Sequence, residues 1–127
     1  MKTQILPATV SDIHKIYTLI QSERQYLLYR SKKNISAHLN NFIVAKNGSG
    51  LIGCASFENY SPEIAEIRSL VILPRYRGNG VGRKLIRTLM KRKLKHQKVF
   101  VVTSKVAYFE RLGFHNALKE KYVLFKR

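Results

Sequence analysis

The feature that most constrains the fold is a glycine-rich turn between an apolar segment and an amphipathic, basic segment. Apolar residues 70–73 precede the turn, and apolar side chains then recur every three or four positions through residues 81–94. This pattern predicts a strand, a tight turn and a helix. The first N–H groups of a helix lack intrahelical partners and carry the positive end of its dipole, so a glycine turn at this point binds anions. A phosphate-bearing ligand is therefore expected at Arg77, Gly78, Asn79, Gly80, Val81, Gly82 and Arg83.

The glycine spacing separates this turn from two common phosphate-binding motifs. Gly78-x-Gly80-x-Gly82 lacks the x-x-Gly spacing of the dinucleotide fingerprint, and no Gly-Lys-Ser/Thr follows as in a P-loop. The turn instead resembles the Gln/Arg-x-x-Gly-x-Gly/Ala signature of the GNAT superfamily of N-acetyltransferases. Residues 74–76 and the segment 108–114 (YFERLGF) are also similar to that family. The resemblance implies that the turn holds the pyrophosphate of acetyl-coenzyme A (acetyl-CoA), the co-substrate.

Hydrophobic patterning predicts one α/β domain over residues 1–127. Strands are expected at 5–8, 42–45, 51–57, 63–73, 99–102 and 122–125, with 42–57 forming a hairpin. Helices are expected from Thr9 or Ser11 to about 21, from Asn34 or Ser36, over 81–94 and over 105–112, so that 64–102 form a βαβ unit. The resemblance implies a GNAT fold, an α+β arrangement with a mixed, mostly antiparallel central sheet and flanking helices.

Composition leaves two classes of function open. The formal charge is +17, and residues 75–127 contain 16 lysines and arginines against two acidic residues. Such a field attracts anionic small molecules or polyanions. A basic nucleic-acid-binding module would interleave aromatic residues with exposed cations, whereas the aromatic residues here fall mostly in apolar runs, which favours an enzyme.

The sequence also bears on the cellular location of the chain and on metal binding. No apolar run approaches the ~20 residues of a membrane-spanning helix, and no signal peptide is visible at the N-terminus. The single cysteine, Cys54, lies in an apolar strand and is expected in the core, so a cytoplasmic location is predicted. The four histidines show no metal-ligand spacing, and no metal site is predicted.

Acetyl transfer to an amine needs a group that removes a proton and donors that polarise the thioester carbonyl. The resemblance implies that Glu66 is the general base, acting directly or through a water molecule, although a carboxylate paired with Arg68 or another nearby cation is the alternative. It also implies that the backbone at Leu70, Val71 and Ile72 binds the carbonyl and the pantetheine arm, with Thr103 and Phe109 beside the cofactor. Many family members have a tyrosine where Phe109 stands, so Tyr108 is the candidate partner of the leaving thiolate, with core packing as its alternative.

A closer resemblance is to the acetyltransferase domain of bacterial N-acetylglutamate synthases. It is carried by residues 27–31 (LLYRS), 42–45 (FIVA), 52–55 (IGCA), 65–67 (AEI), 101–104 (VVTS) and 108–114. It implies acetyl transfer to the α-amine of glutamate, with Arg30 and Leu28 contacting the substrate. Another small amine or a protein amine stays open as the acceptor, and a homodimer stays open as the assembly. With no nucleophile in view, direct transfer within a ternary complex is expected.

Overall fold

The computed structural model describes residues 2–48, 50–118 and 121–126, which contain seven β-strands and four α-helices. In chain order these are β1 (Thr3–Pro7), α1 (Ile13–Ser22), α2 (Lys32–Ala37), β2 (Phe42–Asn47), β3 (Gly50–Ser61), β4 (Ile64–Ile72), α3 (Val81–Met90), β5 (Lys98–Val102), α4 (Val106–Arg111), β6 (His115–Leu118) and β7 (Lys121–Lys126). Short 3-10 turns lie at Val10–Asp12, Leu39–Asn41 and Pro74–Tyr76.

The strands form one sheet in the order β1-β2-β3-β4-β5-β7-β6. β4 and β5 are parallel and are connected through α3, whereas the other described pairs are antiparallel. The mixed, mostly antiparallel sheet and the βαβ unit over residues 64–102 are therefore confirmed. The parallel pair matters because a parallel ladder that opens part-way along its length leaves a gap in the sheet.

The hydrophobic core lies on both faces of the sheet. Alternate residues of β2 point to opposite faces, so that Phe42 and Val44 pack with α1 and α2 while Ile43 and Ala45 pack with α3 and α4. α3 contributes the apolar stripe predicted from its sequence, with Leu85 fully buried. The sheet therefore lies between two helical layers, and the carboxyl ends of β4 and β5 border a cleft in this arrangement.

Several predicted boundaries are wrong. The helix predicted over 81–94 ends at Met90 and continues as 3-10-type turns, and Leu94 is 46% exposed. α2 begins at Lys32 because the hydroxyl of Ser31 accepts the Asn34 N–H at 3.0 Å and caps the helix. β6 was not predicted, and Val102, expected in a buried strand, is exposed.

Candidate active site

A cleft opens where β4 and β5 stop pairing. Their parallel register runs from Ile64–Lys98 to Glu66–Phe100 and goes no further, although both strands continue. Beyond that point residues 66–72 form one wall and residues 101–105 the other, around a cavity of about 1010 Å³. The cavity extends from Glu66 to the glycine turn, which gives an elongated ligand a continuous path along β4.

A β-bulge shapes the β4 wall of this cleft. Cys54 pairs with Val71 and Ser56 pairs with Arg68, so two steps along β3 oppose three steps along β4. The bulge contains Ser69, which is buried and has a φ of 56°, a conformation that non-glycine residues seldom adopt. Leu70, Val71 and Ile72, the predicted backbone contacts, all line the cleft. The bulge therefore interrupts the regular ladder at the wall of the cleft, although the Ser69 carbonyl oxygen still accepts a hydrogen bond from the Cys54 thiol at 3.4 Å.

The glycine turn has the backbone of an anion site. Gly78 and Gly80 have φ of 82° and 78°, and a Cβ at either position would meet no atom within 4 Å. Glycine is needed there for the backbone conformation and not for space. Six of the seven predicted turn residues line the cleft. The seventh, Asn79, directs its amide to the carbonyl oxygen of Tyr76 at 3.3 Å and braces the turn.

The charges along the cleft suit a ligand with several phosphates. Six cationic residues line it, against two carboxylates, Glu23 and Glu66. The cations are Arg24, Arg68, Arg77, Arg83, Lys105 and Arg111. Arg77 is held in place because its Nε donates to the Ile72 carbonyl oxygen at 2.9 Å and its guanidinium forms an ion pair with Glu23. The chain's own residues therefore fit the phosphates of acetyl-CoA.

Glu66, the predicted base, lines the cleft at the point where β4 and β5 separate. Its carboxylate accepts a hydrogen bond of 2.5 Å from the Tyr60 hydroxyl, so the expected alternative, an ion pair with Arg68, does not form. Burial, together with the neighbouring carboxylate of Glu66, raises the pKa of Tyr60 to about 12. Tyr60 stays protonated over the physiological range and acts as a donor. Its ring stacks on Phe100 with centroids 6.3 Å apart, which holds the hydroxyl in place.

Tyr60 was not found by the sequence analysis. The only signal for it was its position beside the β3–β4 turn, where Asn59 pairs with Ala65 and Glu58 with Glu66. The contact depends on an irregular register between Asn59 and Ser61 that apolar patterning does not reveal. Arg68 was also missed as a cleft residue, because it had been considered only as a partner for Glu66.

The two aromatic residues of α4 have different environments. Tyr108 lines the cleft, and its hydroxyl lies where a Cβ on Gly82 would be, 2.1 Å away, so only glycine fits at position 82 in this arrangement. Burial raises the pKa of Tyr108, while Arg83 and Arg111 oppose that shift. Phe109 is buried and packs edge-on against the Phe114 ring at 5.5 Å. Tyr108 thus faces the cleft, while Phe109 bounds it from the core.

The two residues predicted to contact the acceptor lie in different surroundings. Leu28 is 74% exposed and lines the cleft. Arg30 is 4% exposed, and its Nη1 forms an ion pair with Glu58 Oε1 at 2.6 Å. Its Nε donates to Asn34 Oδ1 at 2.9 Å. The guanidinium of Arg30 is therefore occupied inside the fold and is not among the cations that line the cleft.

Thr103 lines the β5 side of the cleft as predicted, and its hydroxyl accepts the N–H of Lys105 at 2.9 Å. Across the described residues, no group of three His, Cys, Asp or Glu side chains is arranged to hold a metal ion. Within the same part of the chain, no helix is long and apolar enough to cross a membrane.

Comparison with known proteins identifies the class to which this cleft belongs. Residues 38–116 match the family model of the acetyltransferase (GNAT) domain, and the chain belongs to that family. The family is one of acetyltransferase domains, and two solved proteins that share the fold are complexes with coenzyme A (CoA).

Among curated relatives, an uncharacterized N-acetyltransferase of Chlorobaculum tepidum, CT2212, is 36% identical over 97 residues, which is 74% of this chain and 62% of that protein. The amino-acid acetyltransferase of Pasteurella multocida is 32% identical over 116 residues, 87% of this chain and 26% of that protein. The chain thus spans less than two thirds of either relative.

Two solved structures have the same fold. Rv2747 from Mycobacterium tuberculosis, in complex with CoA and a second ligand, is 26% identical with a TM-score of 0.86, over 91% of this chain and 73% of that chain. N-acetylglutamate synthase from Neisseria gonorrhoeae, complexed with CoA and N-acetyl-glutamate, has a TM-score of 0.90 over 100% of this chain and 35% of that chain. Its identity is 21%, so it supports the fold alone.

Proposed function

We propose that this chain is an N-acetyltransferase that transfers acetyl from acetyl-CoA directly to the amine of a small anionic amino acid, such as glutamate. The observation that carries the proposal is that Glu66 and the Ser69 bulge lie on one wall of a cleft that ends at the glycine turn. Strand geometry puts Glu66 about 20 Å from Ile72, at the end of the cleft away from the turn. A carboxylate base, backbone donors and a phosphate site then follow one another along β4.

Each part of this wall has a role in the proposed reaction. The turn and Arg77 bind the phosphates of acetyl-CoA, while residues 70–72 contact its pantetheine arm. Glu66 accepts a proton from the acceptor amine, and the Tyr60 hydroxyl keeps the carboxylate oriented toward the cleft. Backbone N–H groups at the bulge are the candidate donors that stabilise negative charge on the acetyl carbonyl oxygen. Tyr108 is the candidate proton donor to the departing sulfur.

The preference for an anionic acceptor rests on the cations of the cleft. Arg68 lies two residues after Glu66 on the same face of β4, so the two side chains are about 7 Å apart along the strand. An amino acid placed between them offers its amine to Glu66 and its carboxylate to Arg68. Arg24 adds a second cation. A polyamine would be repelled by this surface, and amino-acid acetyltransferases are among the relatives.

The proposal is tested first with isothermal titration of acetyl-CoA and a thiol-release assay over a panel of amino acids, a polyamine and a peptide amine. Glu66→Gln should lower kcat by about 100-fold or more without changing acetyl-CoA affinity, because only proton transfer is removed. Glu63→Gln is the matched control, since Glu63 is exposed and does not line the cleft. Arg68→Gln should raise KM for the acidic acceptor selectively.

Three results would count against it. Failure to bind acetyl-CoA would refute the proposal that the chain is an acetyltransferase. It would favour the alternative of a basic nucleic-acid-binding module, which gel-shift experiments would then test. Turnover on peptides or polyamines alone would keep the reaction and discard the acceptor. Equal activity of Glu66→Gln and Glu63→Gln would exclude Glu66 as the base.

A further inference from the structure

A cationic segment follows α3 and has no role in the proposed reaction. Residues 91–98 (KRKLKHQK), the basic segment, contain five lysines and arginines and no acidic residue. Four of these cations are exposed: Lys91, Arg92, Lys95 and Lys98. The longer stretch 67–109 also lacks aspartate and glutamate. The basic segment therefore carries positive charge that no neighbouring residue in the sequence offsets.

The basic segment lies at the far end of α3 from the glycine turn. The ten residues of α3, Val81–Met90, give the helix a length of about 15 Å. None of residues 91–98 lines the cleft. Charges interact over about 10 Å in 0.1 M salt. An anion at the glycine turn is therefore too distant to neutralise the basic segment.

Hydrogen bonds anchor the basic segment to the end of β3. Gln97 is 1% exposed, and its Nε2 donates to Asn59 Oδ1 at 2.6 Å and to the Ser61 carbonyl oxygen at 2.8 Å. Its Oε1 accepts the N–H of Leu94 at 3.0 Å, which closes the turn after α3. The cations of the segment are thus presented on a fixed backbone, which lowers the entropic cost of binding a partner.

The exposed cations of the segment lack acidic partners in the part of the chain that the structure describes. Lys91, Lys95 and Lys98 form no ion pair there. Arg92 donates from Nη1 to the carbonyl oxygen of Asn40 at 3.0 Å, which holds the guanidinium with a neutral group. The charge of this surface is therefore available to an anionic partner.

The arrangement of the cations indicates the kind of anion that fits. Lys84, Arg87 and Lys91 follow one another at three- and four-residue spacing on the exposed side of α3, so a row of cations leads into the basic segment. Lys84 and Lys91 are about 10 Å apart along the helix. An extended row of charges matches a chain of phosphates, whereas a single small anion would cover only part of it.

A nucleic-acid duplex fits this surface better than a single strand or a membrane does. Single strands bind by stacking their bases on aromatic side chains, and residues 91–98 contain none. An amphipathic membrane-binding face inserts several apolar side chains, whereas Leu94 is the one exposed large hydrophobic residue of the segment. A duplex needs neither, because its phosphates supply essentially all of the binding that is independent of sequence.

We propose that the basic segment and the exposed cations of α3 form a docking surface for the phosphate backbone of double-stranded nucleic acid. The surface is separate from the cleft, so the chain can hold a duplex and acetyl-CoA together. It is also independent of the proposed function, because neither the glycine turn nor Glu66 takes part.

The experiment measures binding of a short fluorescent duplex by anisotropy, as DNA and as RNA of the same sequence, over a range of salt concentrations. Affinity should fall as salt rises, because bound cations release counterions from the phosphates. Lys91→Gln/Lys95→Gln/Lys98→Gln should weaken binding about tenfold or more at low salt. It should also make the dependence of log affinity on log salt shallower by about 3, one for each phosphate contact removed.

The matched control is Lys2→Gln/Lys15→Gln/Lys33→Gln, which removes the same charge from three exposed positions outside the cleft. Lys15 lies on α1 and Lys33 on α2, which cover the opposite face of the sheet from α3. This variant should change duplex affinity by about twofold or less, because long-range attraction alone is reduced. Saturating acetyl-CoA should leave the affinity unchanged. Equal binding of DNA and RNA, or a preference for one, would support the surface and identify its natural duplex.

Several results would overturn the proposal. Absence of duplex binding at low salt would refute it directly. Equal losses in the two triple variants would assign binding to net charge, and displacement of the duplex by acetyl-CoA would assign it to the cleft. Tighter binding of a single strand, of polyglutamate or of phosphatidylserine vesicles would identify a different partner. A chain that bound the duplex through the basic segment but did not bind acetyl-CoA would refute the proposed function alone.

Discussion

Removing either member of the Arg30–Glu58 ion pair should strongly destabilise the fold. The two atoms are 2.6 Å apart, and the residues are only 4% and 7% exposed. Loss of one partner leaves a buried charge without its counter-charge, which costs about 3–5 kcal/mol. Arg30→Met and Glu58→Leu should each lower the free energy of unfolding by about that amount. For a chain of this size the melting temperature falls by about 10–20 °C.

The double variant Arg30→Met/Glu58→Leu provides the sharper measurement. Because it removes both charges, its cost should be well below the sum of the two single variants in urea unfolding followed by circular dichroism. Glu23→Gln is the control, since its ion pair with Arg77 is more exposed and is worth about 1 kcal/mol or less. Two strictly additive losses, or single losses below that of the control, would refute the reasoning. A raised KM for glutamate with unchanged stability would instead assign Arg30 to the substrate.

Three further outcomes are expected. Tyr60→Phe should lower kcat by about 3–10-fold, which is the value of a partly exposed hydrogen bond to a carboxylate. The same change should have no effect on kcat in a Glu66→Gln background. Equal losses in both backgrounds would show that the two residues act independently. Gly80→Ala should weaken acetyl-CoA binding about tenfold, measured by titration, because a φ of 78° strains any residue with a side chain. Gly48 has a similar φ of 64° but lies outside the cleft, so Gly48→Ala should lower stability without changing affinity. Equal losses of affinity in the two variants would contradict this account. Because burial raises the pKa of Cys54 to about 12, its thiol should react with a disulfide reagent at pH 8 only as the chain unfolds, whereas rapid labelling of the folded chain would contradict its burial.

Elements defined by local patterns could be predicted from the sequence. The β2–β3 hairpin follows from two apolar runs around residues 47–50, and α3 follows from its apolar stripe and the preceding glycines. The elements that were missed or misplaced depend on contacts that a pattern does not encode. β6 forms by pairing with β7 and has no distinctive apolar run of its own. The end of α3 at Met90 falls within a run of cations that still has helical spacing.

The candidate site likewise has a part that local patterns predict and a part that depends on contacts between distant segments. The predicted anion-binding turn is local, because its glycines, the preceding strand and the following helix are consecutive in the chain. The β4 wall is not local, because the Ser69 bulge arises from a register shift against β3 that leaves no trace in the alternation of residues 64–72. The Tyr60–Glu66 contact depends on a second irregularity of the same strand pair. Sequence reasoning therefore selected Glu66 as the candidate base but could not describe how its carboxylate is held.

Arg30 shows how a residue can match a family pattern while its surroundings change what it can do. The segment 27–31 resembles N-acetylglutamate synthases, but the charge of Arg30 is met by Glu58, 28 positions further along the chain. Asn41 also donates to Glu58 at 2.7 Å, so the carboxylate is held from both sides. An acceptor carboxylate could use Arg30 only by displacing this buried pair. Arg68, which already lines the cleft beside Glu66, offers a cation without that cost, and the acceptor is therefore expected to be selected there.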